Sequence, residues 1–188
     1  MASGSWSEGE LVRRCREGRP EAWREMIRRF TPLAYRLSAR MLGAGAEAED
    51  AVQEAFASVH RSFGTFDDQR SLAAWISSIA YHAALRRVGR AARPGRAGAD
   101  PEAAGELRDE AEPGPEQRAA AREAGAILDE ALGRLAVQDR ALLALRYREG
   151  LSDSEVAEAV GMPVGTVKTR LFRAREKLRE WLGPALGE

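Results

Sequence analysis

LSDSEVAEAVGMPVGTVKTRLFRAREKLREWL, residues 151–182, holds two consecutive helix signals, and these decide which fold to expect in the C-terminal part of the chain. Ser152 and Glu155 have the spacing of a capping box, which typically opens a short helix. Gly161 suits a turn at positive φ, and Pro163 suits the start of a second helix. A short helix, a turn with glycine and a longer helix predict a helix-turn-helix.

The second helix of this motif has an apolar face and an opposite face of polar, basic and aromatic residues. At about 100° per residue, the apolar face collects Val164, Val167, Leu171, Ala174, Leu178 and Trp181/Leu182. The opposite face collects Gly165, Thr169, Phe172 and Arg173, with Thr166 and Lys168 at its edges and Arg170, Arg175 and Lys177 beside the apolar stripe. Phe172 is therefore expected to point away from its own domain.

An outward face of this composition predicts DNA binding. In the major groove, Lys and Arg donate to guanine, Thr serves either base type, and Phe contacts the methyl group of thymine. The plain alternative is a solvated surface helix with one exposed aromatic side chain. The helix caps, the spacing of the turn and the outward Phe172 favour DNA binding over that alternative.

Helical patterns also fill the N-terminal half of the chain, where β-branched residues are few. A capping box opens a first helix over about 7–18, and apolar periodicity predicts further helices over about 20–42 and 46–62. Thr31-Pro32 predicts a kink or short break in the second helix, and Ser71 is expected to cap a fourth. The predicted fold is all-α: two small helical domains at 1–90 and 117–188, the second with the helix-turn-helix, joined by a flexible acidic linker at 91–116.

The chain has no net charge, with 29 basic and 29 acidic residues, but the two kinds of charge are segregated along the sequence. Residues 86–96 hold five arginines and no acid, whereas residues 100–116 hold seven acids and one arginine. Residues 163–179 hold six basic residues against one glutamate. This distribution indicates separate surfaces with separate partners, one of them polyanionic.

The composition excludes several classes of protein. One cysteine, Cys15, allows no internal disulfide and favours a reducing compartment, and the apolar runs are too short for a membrane span. With His60 and His82 as the two histidines, we find no metal cluster, cofactor-binding motif or catalytic set for an enzyme acting on a small-molecule substrate. A cytoplasmic protein without catalytic residues, cofactor or metal is expected.

Two blocks of sequence together resemble one protein family. The stretch quoted above resembles region 4, the C-terminal promoter-reading domain of bacterial extracytoplasmic-function (ECF) sigma factors. EAEDAVQEAFASVHRSFGTF, followed by SLAAWISSIAYHAALRRVGR, resembles region 2, their N-terminal domain. A helix-turn-helix alone is weakly specific, but both blocks in this order with an acidic linker between them are highly specific.

The resemblance implies a transcription initiation factor that brings core RNA polymerase to promoters and helps to melt them. It places core polymerase binding on Asp50, Gln53 and Glu54, for which a solvated face is the alternative. It assigns the −35 element to Lys168, Thr169, Phe172 and Arg173 as base contacts and to Thr166, Arg170 and Arg175 as phosphate contacts. It assigns the −10 element to Phe66, Trp75, Ser78, Tyr81, His82, Arg86 and Arg87.

Several points stay open at this level. Trp75 fits core packing as well as a strand contact, and many family members carry Arg and Asn where this chain has Ser78 and His82. The linker is either a mimic of nucleic acid or a plain tether. A DNA-binding regulator that acts without polymerase is the alternative function, although it would need no counterpart of residues 46–90. An anti-sigma protein is compatible with the two-domain form.

Overall fold

The computed structural model describes residues 6–91 and 115–186, and within these ranges it contains helices and turns but no strand. The all-α prediction is confirmed. The helices are α1 (Glu8–Arg16), α2 (Pro20–Leu42), α3 (Ala46–Ser62), α4 (Leu72–Ala91), α5 (Pro115–Gly133), α6 (Val137–Leu143), α7 (Asp153–Val160) and α8 (Val164–Leu186). Residues 92–114 of the predicted linker lie outside the described residues, whereas its first residue, Ala91, ends α4 and its last two, Pro115 and Glu116, begin α5.

The N-terminal block, α1 to α4, begins its helices where the local signals predict. The side chain of Ser7 accepts a hydrogen bond from the backbone N–H of Glu10, and Ser71 caps α4 by accepting from the N–H of Ala74 at 3.2 Å. Of the kink or short break predicted at Pro32, the break does not occur, because α2 runs through this residue without interruption, and the kink stays a prediction. Buried residues on both sides of Pro32 hold the helix against the core, which offsets the backbone hydrogen bond that proline cannot make.

The C-terminal block, α5 to α8, contains the predicted helix-turn-helix. The capping box of Ser152 and Glu155 is present, and Gly161 has φ = 68° at the turn, so both predictions are confirmed. Val167, Leu171 and Ala174 are buried on the inner side of α8. Val164 was expected there as well but is 37% exposed, since the first turn of α8 lies at the rim of the block.

A π-helical turn, Ala144–Arg148, continues directly from α6 and was not expected from the sequence. Leu145 enters the core on this segment, whereas Tyr147 is 55% exposed. Turns of this kind are rare and occur frequently at functional sites.

The two blocks pack against each other through α4 and α7 and through α2 and α6. Buried apolar residues of both blocks share one cluster, which includes Leu37 and Tyr81 of the first block and Leu142 and Val156 of the second, while a separate cluster lies within the first block. Ion pairs surround the contact: Arg36–Glu149 and Arg40–Asp129, each at 2.6 Å, and Arg70–Glu158. The described structure is therefore a closed arrangement of the two blocks.

Glu149→Ala is expected to destabilise this closed arrangement. The Glu149 carboxylate is only 6% exposed and accepts two hydrogen bonds from Arg36, at 2.6 and 2.7 Å, which raise the pKa of Arg36. Loss of hydrogen bonds to a charged partner should lower the free energy of unfolding by about 1–3 kcal/mol.

Thermal denaturation measures this effect, with Glu130→Ala as the matched control. Glu130 pairs with Arg134 on the surface of α5, where an exposed pair contributes at most about 1 kcal/mol. Equal midpoints for the two variants would contradict the role given to Glu149.

Candidate nucleic-acid interface

The side chains that are predicted to bind DNA lie on the outward side of α8, where they are exposed to solvent. Phe172 is 55% exposed, and Arg173 and Lys168 are exposed near it. Thr169 is exposed and donates its hydroxyl proton to the carbonyl of Gly165 at 2.9 Å, a local bond to the preceding turn. The face is held in place by the buried residues behind it, so its basic and aromatic groups stand on a rigid element.

Arg170 is tied to α6 in this structure, and its role as a phosphate contact stays a prediction. Its guanidinium donates to Asp139 at 2.7 Å and to Gln138 at 2.8 Å, and these bonds tie α8 to α6. The side chain lies on the flank of α8 that packs against α6, where its Nε and Nη1 are engaged while the side chain stays 26% exposed.

Arg175 keeps an exposed position on the opposite flank of α8. Its Nη1 donates to the hydroxyl of Tyr147 at 2.9 Å, a contact between groups 28 positions apart in sequence. Thr166 is exposed in the first turn, before the helix reaches the core. Both positions are open to a phosphate backbone.

The acidic surface of α3 has the predicted residues in place but shares them with α4. Asp50 and Gln53 are exposed, whereas Glu54 is half-buried and accepts hydrogen bonds from Arg86 at 2.8 and 3.2 Å. The hydrogen bonding from Arg86 lowers the pKa of Glu54. Arg87 lies 2.7 Å from Glu47 and 3.3 Å from Asp50.

These ion pairs connect the residues of α3 that are predicted to bind core polymerase with the residues of α4 that are predicted to bind the −10 strand. Burial of Arg87 disfavours its charge, but pairing with Glu47, Asp50 and Glu54 outweighs that effect, so the pKa of Arg87 is raised. Arg86 and Arg87, predicted to hold the −10 strand, are thus already paired with the acids predicted to hold the polymerase. A basic partner at α3 would compete with them for the same carboxylates.

Two residues predicted for the −10 element are buried in the structure. Phe66 lies in an aromatic cluster, with ring centres 5.1 Å from Trp75 and 6.1 Å from Phe63. Tyr81 is 1% exposed within the shared cluster of the two blocks, and burial raises its pKa. The expectation that both side chains face DNA is corrected for the closed arrangement. Trp75 is half-buried in the aromatic cluster, so core packing accounts for it here.

The remaining predicted residues of α4 are accessible. Ser78 is half-buried, and His82 reaches solvent. Desolvation by the surrounding protein, and then the charge of Arg86, lower the pKa of His82, which favours a neutral imidazole at neutral pH. Cys15 is buried and its pKa is raised to about 11, so its thiol is a poor nucleophile.

Sequence reasoning missed the residues that join the two blocks and missed Tyr147. Arg36 and Glu149 are 113 positions apart, and no local pattern marks them as a pair. No motif in the sequence marks Tyr147, and only the contact with Arg175 in the structure draws attention to it. Among the described residues, no group of three or more His, Cys, Asp or Glu side chains is arranged to hold a metal ion.

Comparison with known proteins assigns the class to which this fold and surface belong. Residues 26–94 match the family described as Sigma-70 region 2, and residues 125–178 match Sigma-70, region 4. The chain is 31% identical over 180 residues to the ECF RNA polymerase sigma factor SigW of Bacillus subtilis, covering 91% of this chain and 94% of SigW. It is 31% identical over 184 residues to the RNA polymerase sigma-H factor of Pseudomonas aeruginosa, covering 95% of each.

A longer relative matches over part of its length. The ECF RNA polymerase sigma factor SigE of Mycolicibacterium smegmatis is 36% identical over 166 residues, which are 86% of this chain and 62% of SigE. The chain therefore belongs to the ECF sigma factors of bacterial RNA polymerase. It is a transcription initiation factor that directs core polymerase to promoters.

Solved structures agree on the fold. CnrH in complex with the cytosolic domain of CnrY has a TM-score of 0.66 at 23% identity, covering 93% of this chain and 96% of CnrH. The sigma factor RpoE in complex with the anti-sigma factor NepR, from Bartonella quintana, has a TM-score of 0.64 at 22% identity, covering 86% of this chain and 96% of that one. No helix in the described part of our chain is both long and apolar enough to span a bilayer.

Proposed function

We propose that the outward face of α8 reads the −35 element, that Asp50, Gln53 and Glu54 dock the core polymerase, and that α4 handles the −10 strand. The observation that carries this proposal is the exposed side of α8, where Phe172, Arg173 and Lys168 project from a helix anchored by Val167 and Leu171. The factor acts in the cytoplasm and supplies binding surfaces, while the polymerase supplies the chemistry.

The closed arrangement has to open for this function. The −35 and −10 elements are named for positions about 25 base pairs apart, which is roughly 85 Å of duplex at 3.4 Å per pair. In the structure α4 contacts α7 directly, so a single closed molecule cannot engage both elements. Separation of the blocks would also expose Tyr81, which then becomes available to the −10 strand. Polymerase docking at α3 is the event that we expect to favour the open form.

An anti-sigma protein is a further proposed partner. RpoE of Bartonella quintana was solved with the anti-sigma factor NepR, and its fold is shared by this chain.

A stand-alone DNA-binding regulator is the second candidate function, favoured only by the helix-turn-helix itself. Gel shifts on promoter DNA with and without core polymerase separate the two, since a stand-alone regulator needs no polymerase to bind specifically.

Two arginines of α8 test the proposed reading of the −35 element. Arg173 lies on the outward face and Arg175 on its flank. Arg173→Ala is expected to cost about 1–3 kcal/mol at one base pair and to relax the preference there. Arg175→Ala should weaken binding about equally on all sequences and should reduce the salt dependence by about one ion.

Holoenzyme binding to a library of −35 sequences, measured at several salt concentrations, gives both quantities. Tyr35→Phe, a change on α2, serves as a control that should alter neither the base preference nor the salt dependence. If the two arginine variants behave alike and neither changes base preference, α8 does not read sequence through this face.

A further inference from the structure

Tyr147 is an exposed aromatic residue that lies outside both helices of the helix-turn-helix. It belongs to the π-helical turn Ala144–Arg148 that follows α6, and more than half of its side chain is in solvent. The guanidinium carbon of Arg146 lies 5.7 Å from its ring centre. A large aromatic side chain in such an exposed position contributes little to the core, so a role in packing does not account for it.

The Tyr147 hydroxyl contacts one residue of α8, Arg175. It accepts a hydrogen bond from Nη1 of Arg175 at 2.9 Å. A phenol has one proton to donate besides its acceptor lone pairs, and among the described side chains of residues 6–90 and 124–183 that proton finds no acceptor. The hydroxyl is therefore engaged as an acceptor and free as a donor.

Arg175 lies on the flank of α8, next to the outward face that is proposed to bind DNA. Lys168, Phe172 and Arg175 follow one another at spacings of four and three residues, so they share one side of α8. Arginine normally loses much side-chain freedom when it binds a phosphate. A hydrogen bond that holds the guanidinium in place before DNA arrives reduces that loss.

We propose that Tyr147 is a positioning residue for Arg175 and that the two together bind one backbone phosphate of the −35 element. Arg175 supplies the charge, while the Tyr147 hydroxyl accepts from Arg175 and donates its own proton to a phosphate oxygen. Tyrosine hydroxyls are among the usual phosphate contacts in protein–DNA complexes. This inference rests on the proposed role of α8, and it extends the interface to a segment that precedes the helix-turn-helix.

The test is a double-mutant cycle in the holoenzyme formed from the full chain and core polymerase. Binding to −35 duplex DNA is measured for the original chain, Tyr147→Phe, Arg175→Ala and the double variant, at several salt concentrations. Tyr147→Phe should weaken binding roughly 2- to 10-fold on all −35 sequences, as expected for loss of one hydrogen bond. Its salt dependence should stay nearly unchanged, because no charge is removed.

Non-additivity separates positioning from a general structural effect. In the Arg175→Ala background, Tyr147→Phe should have a smaller effect than in the original chain, because only the direct hydrogen bond to the phosphate is then lost and no guanidinium remains to be positioned. Tyr35→Phe removes a hydroxyl from α2 and should leave binding unchanged. The thermal midpoint should be the same for Tyr147→Phe and the original chain.

Two results would overturn the inference alone: wild-type affinity for Tyr147→Phe, or the same loss from Tyr147→Phe with and without Arg175. If Arg175→Ala itself changes neither affinity nor salt dependence, the proposed phosphate contact on α8 fails and the positioning role falls with it. The outcomes thus distinguish failure of this inference from failure of the function on which it rests.

Discussion

Asp50→Arg combined with Gln53→Ala is expected to abolish promoter-directed transcription while the protein stays folded. Both residues are exposed on α3, and the pairing of Asp50 with Arg87 at 3.3 Å is a surface contact that contributes at most about 1 kcal/mol. At an interface with a basic helix, a reversed charge costs several kcal/mol. Affinity for core polymerase should therefore fall by roughly 100-fold or more.

Co-purification with core polymerase and run-off transcription measure this loss, and circular dichroism checks the fold. Glu130→Arg is the matched control, since it reverses a carboxylate on α5 that is 71% exposed and lies outside the proposed docking surface. Unchanged affinity of the α3 variant for core polymerase would show that this surface is solvated and does not dock the enzyme.

Val167→Asp should unfold the C-terminal block. Val167 is fully buried on the inner side of α8, among Val156, Leu142 and Leu171 of the shared apolar cluster. An aspartate at this position has no partner for its charge, and an unpaired buried charge costs about 3–5 kcal/mol. That loss is a large share of the roughly 5–15 kcal/mol that typically stabilises a domain.

Thermal denaturation and helical content at about 25 °C measure the effect, with Phe172→Asp as the control on the same helix. Phe172 is exposed, so this change introduces the same charge without burying it and should leave the midpoint within about 2 °C, as for most surface substitutions. Phe172→Asp should nevertheless impair promoter binding. A stable, fully helical Val167→Asp variant would contradict the placement of the core.

The sequence determined the helices and their ends, because the interactions that set them act within one or two turns. The capping box of Ser152 and Glu155, the left-handed Gly161 and the Ser71 cap each depend on groups a few residues apart. Amphipathic spacing likewise determined which side of α8 faces outward, and with it the position of Phe172. The assignment to the sigma-factor family follows from the two stretches of sequence that resemble regions 2 and 4, and from their order in the chain.

Tertiary structure alone decided which of the predicted side chains are free. Arg170 is held by Asp139, and Tyr81 is covered by the second block, through contacts between helices that no local pattern encodes. Tyr147 gains its contact with Arg175 in the same way, across 28 positions. Periodicity gives the direction of a side chain from its own helix axis. What lies in that direction depends on how the helices pack, and packing is set by the whole apolar core.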